Sequence, residues 1–157
     1  MNRNAVQNVF FKFEEDFIES DISCIPMIVR FKLDACGIKL KLAEWSRMKP
    51  EEREGLAMAE CETVEDLARY RENLQRLIFE RTGKPATEIP VPESPAWSRA
   101  DEIPYTIKEK LQENESCFSL EQWQGLSHLQ RFALLKLTSP GHENKNFPKA
   151  MAEFGLT

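Results

Sequence analysis

The sequence predicts an all-α fold, with two related helical units around a long central helix and a proline-rich extended linker. Three observations carry this. First, "TVEDLARYRENLQRLIFERTG" sets Leu67, Tyr70, Leu74, Leu77 and Ile78 on one stripe at helical spacing. Second, "IPMIVRFKLDACGIKLKLAEWSRMKPEEREGL" (25–56) aligns without a gap over "IPYTIKEKLQENESCFSLEQWQGLSHLQRFAL" (103–134), at a constant offset of 78. Third, the second copy is rich in Lys, Glu and Gln and poor in β-branched residues where it opens, which is helical composition.

The repeat pairs Ile25-Pro26 with Ile103-Pro104, Lys32-Leu33 with Lys110-Leu111, Leu42 with Leu120, Trp45 with Trp123, Arg53 with Arg131, and Leu56 with Leu134. It also settles an ambiguity. Alone, "IVRFKLDACGIKLKL" alternates apolar and polar on both sides of a glycine, as a β-hairpin does. If the two copies share a fold, it is helix. Pro26 and Pro104 then open their helices, where a missing N–H costs nothing. Gly37 supplies a C-terminal stop.

The elements follow in order. The opening "NVFFKFEEDF" alternates briefly, so it reads as extended or a short strand, held by Phe11 and Phe13. Leu42–Trp45 and Leu120–Trp123 make short helices. Pro50 starts the next helix in the first copy, and Ser127 with Gln130 forms a capping box in the second. Each tryptophan plugs the angle between short helices; stacking on a ligand is the other reading. For Arg53 and Arg131 two readings stand. Each guanidinium either satisfies helix-end carbonyls and lies on the indole, or it captures an anion or carboxylate from a partner. Thr63 caps the long helix and Gly83 ends it. The proline-dense "KPATEIPVPESPAW" runs extended, with Trp97 as a tether or as an anchor for a partner. "QRFALLKL" is apolar almost all round, a core helix. "TSPG" (138–141) ends it, and Asn144 or Asn146 caps the next, with Pro148 in its first turn.

Length and composition bound the rest. The chain of 157 residues suits one helical domain over 1–157, with the pseudo-repeat at 25–56 and 103–134 and the linker at 84–102. Charged residues at 30% and hydrophobic ones at 41% are an ordinary globular mixture. No apolar run reaches a membrane span, and the N-terminus does not read as a signal peptide, so the expected location is cytoplasmic. The net charge of −5 argues against nucleic acid. Cys24, Cys36, Cys61 and Cys117 match no zinc spacing, and four reduced thiols are the expectation. Motifs for dinucleotides, phosphate loops, serine hydrolases and zinc peptidases are missing, so neither a catalytic residue, a metal site nor a cofactor is expected. One basic run stands out in an acidic chain: Arg30, Lys32, Lys39, Lys41, Arg47 and Lys49. It is a solvated face, or a docking patch for an acidic partner. The candidate partner-binding residues are Arg131, His142, Glu143, Asn144, Arg30 and Lys32. Helix ending accounts for most of the polar knot at 142–146, but His142 and Glu143 are not needed for it.

Three segments, "FFKFEEDF", "CIPMIVRFKLDACGIKLKLAEW" and "QRFALLKLTSPGHENKNFPKAMAEFGL", resemble the bacterial nitrate reductase-associated proteins. The resemblance covers most of the chain outside the linker around Pro85–Pro95. It implies a small cytoplasmic accessory of assimilatory nitrate reductase, acting on the enzyme or its maturation machinery, with insertion of the molybdenum cofactor or iron–sulfur cluster as one such step. It carries no catalytic residue over. A small-metabolite-binding regulator of nitrogen assimilation and a small cofactor carrier or enzyme are the alternatives.

Overall fold

Local signals place most helices. In the computed structural model, residues 9–15, 18, 22–139 and 145–157 are described. Among them are eight α-helices and one two-stranded ribbon: α1 (Met27–Cys36), β1 (Ile38–Lys39), α2 (Leu42–Arg47), α3 (Pro50–Met58), α4 (Val64–Thr82), β2 (Thr87–Glu88), α5 (Tyr105–Glu113), α6 (Leu120–Gln124), α7 (His128–Lys136) and α8 (Asn146–Glu153). The chain divides into two compact units, Met1–Val91 and Pro92–Thr157.

The fold is helical, and the helices of the two copies start in the same register. α1, α2 and α3 begin at 27, 42 and 50; α5, α6 and α7 begin at 105, 120 and 128, each 78 residues later. The helical reading of 27–36 therefore holds over the hairpin. The alternation there comes from a helix followed at once by a short strand: Gly37 stops α1 in the left-handed region (φ 76) and β1 pairs antiparallel with β2. A Cβ on Gly37 would lie 2.9 Å from both Ile89 O and Val91 Cγ2, so glycine also makes room for the returning strand. Pro26 and Pro104 are the N-caps, one position before the helices, where their rings offer no acceptor.

In the first unit the core gathers Val29, Leu33, Ile38, Trp45, Leu56, Leu74 and Ile78, with α4 lying against α1 and α2. The expected stripe of α4 is what it buries, through Tyr70, Leu74, Leu77 and Ile78. Thr63 caps it, its Oγ1 accepting from Asp66 N at 3.0 Å, and Gly83 ends it in the left-handed region. The opening segment differs from the extended reading: Lys12–Glu14 is a 3-10 turn. The turn swings Glu14 inward, where its carboxylate accepts from Phe11 N at 3.1 Å and Met27 N at 2.6 Å. It supplies from a distance the N-terminal acceptor that Pro26 cannot give α1.

In the second unit α7 is the core helix. Arg131, Phe132, Ala133 and Leu134 are all buried, so its middle turn is enclosed while its first residue, His128, is exposed. A 3-10 turn at Ala96–Ser98, α5 and α8 pack on it. Trp97 is half-buried with its ring 5.3 Å from that of His128, which fits the tether reading. Pro148 lies in the first turn of α8, Asn146 is that helix's first residue, and Lys145 precedes it as N-cap.

Candidate functional site

The two copies each build a seat in which a tryptophan and an arginine are buried together. Trp45 and Trp123 are fully buried. Each indole N–H donates to a backbone carbonyl just upstream of the Ile-Pro pair: Trp45 Nε1 to Ile22 O at 2.9 Å, and Trp123 Nε1 to Arg99 O at 3.2 Å. Ile22 holds that carbonyl with φ at 56, a left-handed conformation costly for a β-branched side chain. Each guanidinium lies near its indole, at 6.0 Å for Arg53 and 5.8 Å for Arg131. Both arginines are nearly closed off, at 7% and 6% exposure. Core packing of the tryptophans is thus what the structure shows.

The arginines then part company. Arg53 Nε donates to Trp45 O at 3.0 Å and its Nη2 to Ser46 O at 2.9 Å, binding the end of α2. Arg131 Nη2 donates to Leu126 O at 3.0 Å. Its Nε and Nη1 are buried with no hydrogen-bond partner among the described residues. A buried donor without an acceptor costs about 1–3 kcal/mol. An acceptor brought from outside the described residues would recover that, and an oxyanion is the strongest kind for a guanidinium.

The other sequence candidates fall in different places. Lys32 is buried, and its Nζ donates to Ala57 O at 2.7 Å and Ala59 O at 2.5 Å, tying down the end of α3. Burial lowers its pKa, opposed by the nearby Cys61. Arg30 is half-buried, with Nε donating to Ile25 O at 3.1 Å. Burial lowers its pKa as well, opposed chiefly by the Glu14 carboxylate. His142, Glu143 and Asn144 lie outside the described residues.

All four cysteines are free thiols. Burial pushes Cys36 up and Cys61 up to about 11, so both are protonated at neutral pH rather than poised as nucleophiles. An open depression of about 350 Å³ lies by Ala59, Tyr70 and Asn73. Its Asp66 carboxylate is engaged with Thr63 N and Arg69. Among the described residues no three His, Cys, Asp or Glu side chains converge to hold a metal, and no helix is long and apolar enough to cross a membrane.

The sequence model of the conserved nitrate reductase-associated proteins matches residues 10–154. The chain belongs to this family. The match begins in the segment that carries Glu14, spans both Trp–Arg seats and ends in the turn after α8. No curated protein and no solved structure matches the chain. The family's description speaks of association with nitrate reductase and of no reaction.

Glu14 is the residue that sequence reasoning missed. A glutamate beside phenylalanines reads as a surface charge, and only the turn at Lys12–Glu14 shows it buried. The one available signal was the acceptor missing before α1: Pro26 cannot cap, so a side chain from elsewhere was needed.

Proposed function

We propose that this chain is a non-catalytic accessory protein that supports assimilatory nitrate reductase in the cytoplasm, by binding the enzyme or by aiding its maturation and cofactor insertion. The observation that carries the reading is the family match over 10–154. The guanidinium of Arg131 supports it at the level of residues, since two of its three nitrogens find no acceptor among the described residues, whereas Arg53 spends its Nε and Nη2 on carbonyls. His142, Glu143 and Asn144 follow α7 in sequence and are proposed as part of the same contact; the proposal gives the protein neither a cofactor of its own nor a nucleic-acid or membrane partner.

The test is association and support. Purified apo and holo nitrate reductase are passed over the immobilised protein, and nitrate reductase activity is measured in cells with and without it. Retention of either form, with lower activity in the deletion strain, is the expected result. No retention together with unchanged activity overturns the proposal.

The same two nitrogens favour one other reading, a regulator that binds a small oxyanionic nitrogen metabolite. A thermal-shift series with nitrate and nitrite, on wild type and Arg131→Met, separates the two. Stabilisation of wild type alone supports the regulator, and a flat series removes it.

A further inference from the structure

The two copies differ in charge on α2 and the positions that flank it in sequence. In the first unit Lys39, Lys41, Arg47 and Lys49 are all exposed, and none forms an ion pair among the described residues. Glu52, whose Oε1 accepts from Lys49 N, has its carboxylate gripped by the Arg81 fork at 2.9 and 2.7 Å. At the matching positions the second unit carries Cys117, Ser119, Gly125 and Ser127, with no charge at all.

What the backbone wants at two of these positions is visible in the second unit. Ser119 and Ser127 are N-caps, accepting from Gln122 N and Gln130 N at 3.1 Å each. Lys41 and Lys49 stand at the same N-caps with no side-chain cap bond. A lysine there forgoes the acceptor and sets a positive charge at the positive end of a helix, both unfavourable. Glu44 and Glu52 repair half of each capping box by accepting from Lys41 N and Lys49 N at 2.8 Å. Local rules broken twice in one copy and obeyed in the other mark a position chosen for something besides folding.

Amid these cations sits Leu42, 60% exposed at the first position of α2. On a helical projection it shares the outer face with Ala43, Ser46 and Arg47, while Glu44 and Trp45 face inward. The helix is roughly 9 Å long. Lys41 and Arg47 therefore flank Leu42 within the span of a short bound segment.

We propose that this face docks an acidic protein segment carrying one apolar side chain, the carboxylates meeting Lys39, Lys41, Arg47 and Lys49 and the apolar group covering Leu42. Charge complementarity names the occupant: four cations with no ion pair among the described residues, in a chain of net charge −5, favour a local cluster of carboxylates. A polyphosphate backbone sets a denser line of negative charge against the same net-negative chain than a short run of carboxylates does, and a single leucine is a slight anchor for a lipid surface. This deepens the accessory reading by giving the chemistry of what the partner presents.

The full-length variant Lys39→Ser/Lys41→Ser/Arg47→Gln/Lys49→Ser moves the face toward the second unit's pattern. Its thermal midpoint is expected at or above that of wild type, which guards against a folding artefact. Binding to purified nitrate reductase at 50 mM salt is expected to weaken at least tenfold, and wild-type binding to fall steeply by 500 mM salt while the variant's residual binding does not. Equal binding by wild type and variant overturns the docking face and leaves the accessory reading standing. If wild type does not bind the enzyme and its deletion leaves nitrate reductase activity unchanged, the accessory reading fails instead. The face is then judged with a fluorescent 12-residue peptide of Glu, Asp and Leu: retention by wild type and not by the variant supports it, and no retention overturns it. Tighter binding to duplex DNA, to phosphatidylserine vesicles or to a second copy of the chain than to these probes, lost in the variant, also overturns the acidic-segment occupant.

Discussion

The Trp45–Arg53 seat and the Trp123–Arg131 seat occupy the same positions of one repeat, yet only the first is closed. Burial of the indole and guanidinium is the same in both. The difference lies in where the guanidinium's donors go. Arg53 reaches two carbonyls at the end of α2, whereas Arg131 reaches one and leaves two nitrogens without a partner among the described residues. The packing of the seat is alike in the two copies, as close packing punishes any change of volume. The hydrogen bonds of the guanidinium are not alike.

Replacing each arginine with methionine breaks this comparison most directly. Arg53→Met should cost about 2–3 kcal/mol, since carbonyls that received charged donors lose them. Arg131→Met removes a buried charge already short of partners, so stability should stay within about 1 kcal/mol of wild type or rise. Urea denaturation of the two variants checks it, and equal losses would show the two seats to be equivalent. The glycines sharpen the comparison within the first unit. Gly37→Ala meets both a left-handed φ and the Ile89–Val91 strand, so about 2 kcal/mol or more should be lost. Gly83→Ala has the same φ problem and open space, and about 1 kcal/mol is expected. Capping differences come next. Lys41→Ser and Lys49→Ser should each stabilise by about 0.5–1 kcal/mol, while Ser119→Lys and Ser127→Lys should each cost about as much. Thermal midpoints of the four single variants read this out.

The smallest effect separates the units by pH. Hydrogen bonding to Arg81 holds the Glu52 carboxyl below its ordinary value. Its folded-state pKa is therefore depressed, so it contributes stability above the unfolded value that is lost as pH falls through the folded one. The matching residue of the second unit is Gln130, which does not titrate. Arg81→Gln should flatten the fall in the urea midpoint between about pH 5 and pH 3, the region around ordinary carboxylate values. An unchanged profile would mean that the acid sensitivity resides elsewhere.

The sequence by itself determined the helices, their register between copies and the residues they bury. Those rest on short-range rules: Thr63 and Ser127 cap because their hydroxyls sit three residues before an amide, and Gly37 and Gly83 stop helices because only glycine takes the left-handed turn cheaply. It also singled out Arg131, by recurrence, and the basic run, by charge. It could not sort that run into buried and exposed cations. Lys32 and Lys41 look alike in one dimension; one ends on the carbonyls of Ala57 and Ala59, about 25 residues on, and the other faces water. Tertiary structure alone decided this, together with the burial of Glu14 over α1, the pairing of β1 with β2, and the unequal satisfaction of Arg53 and Arg131. The physical reason is common to all four. Each turns on which distant backbone group comes within about 3 Å of a hydrogen-bonding partner, and a hydrogen bond fades over an ångström that no sequence pattern can measure.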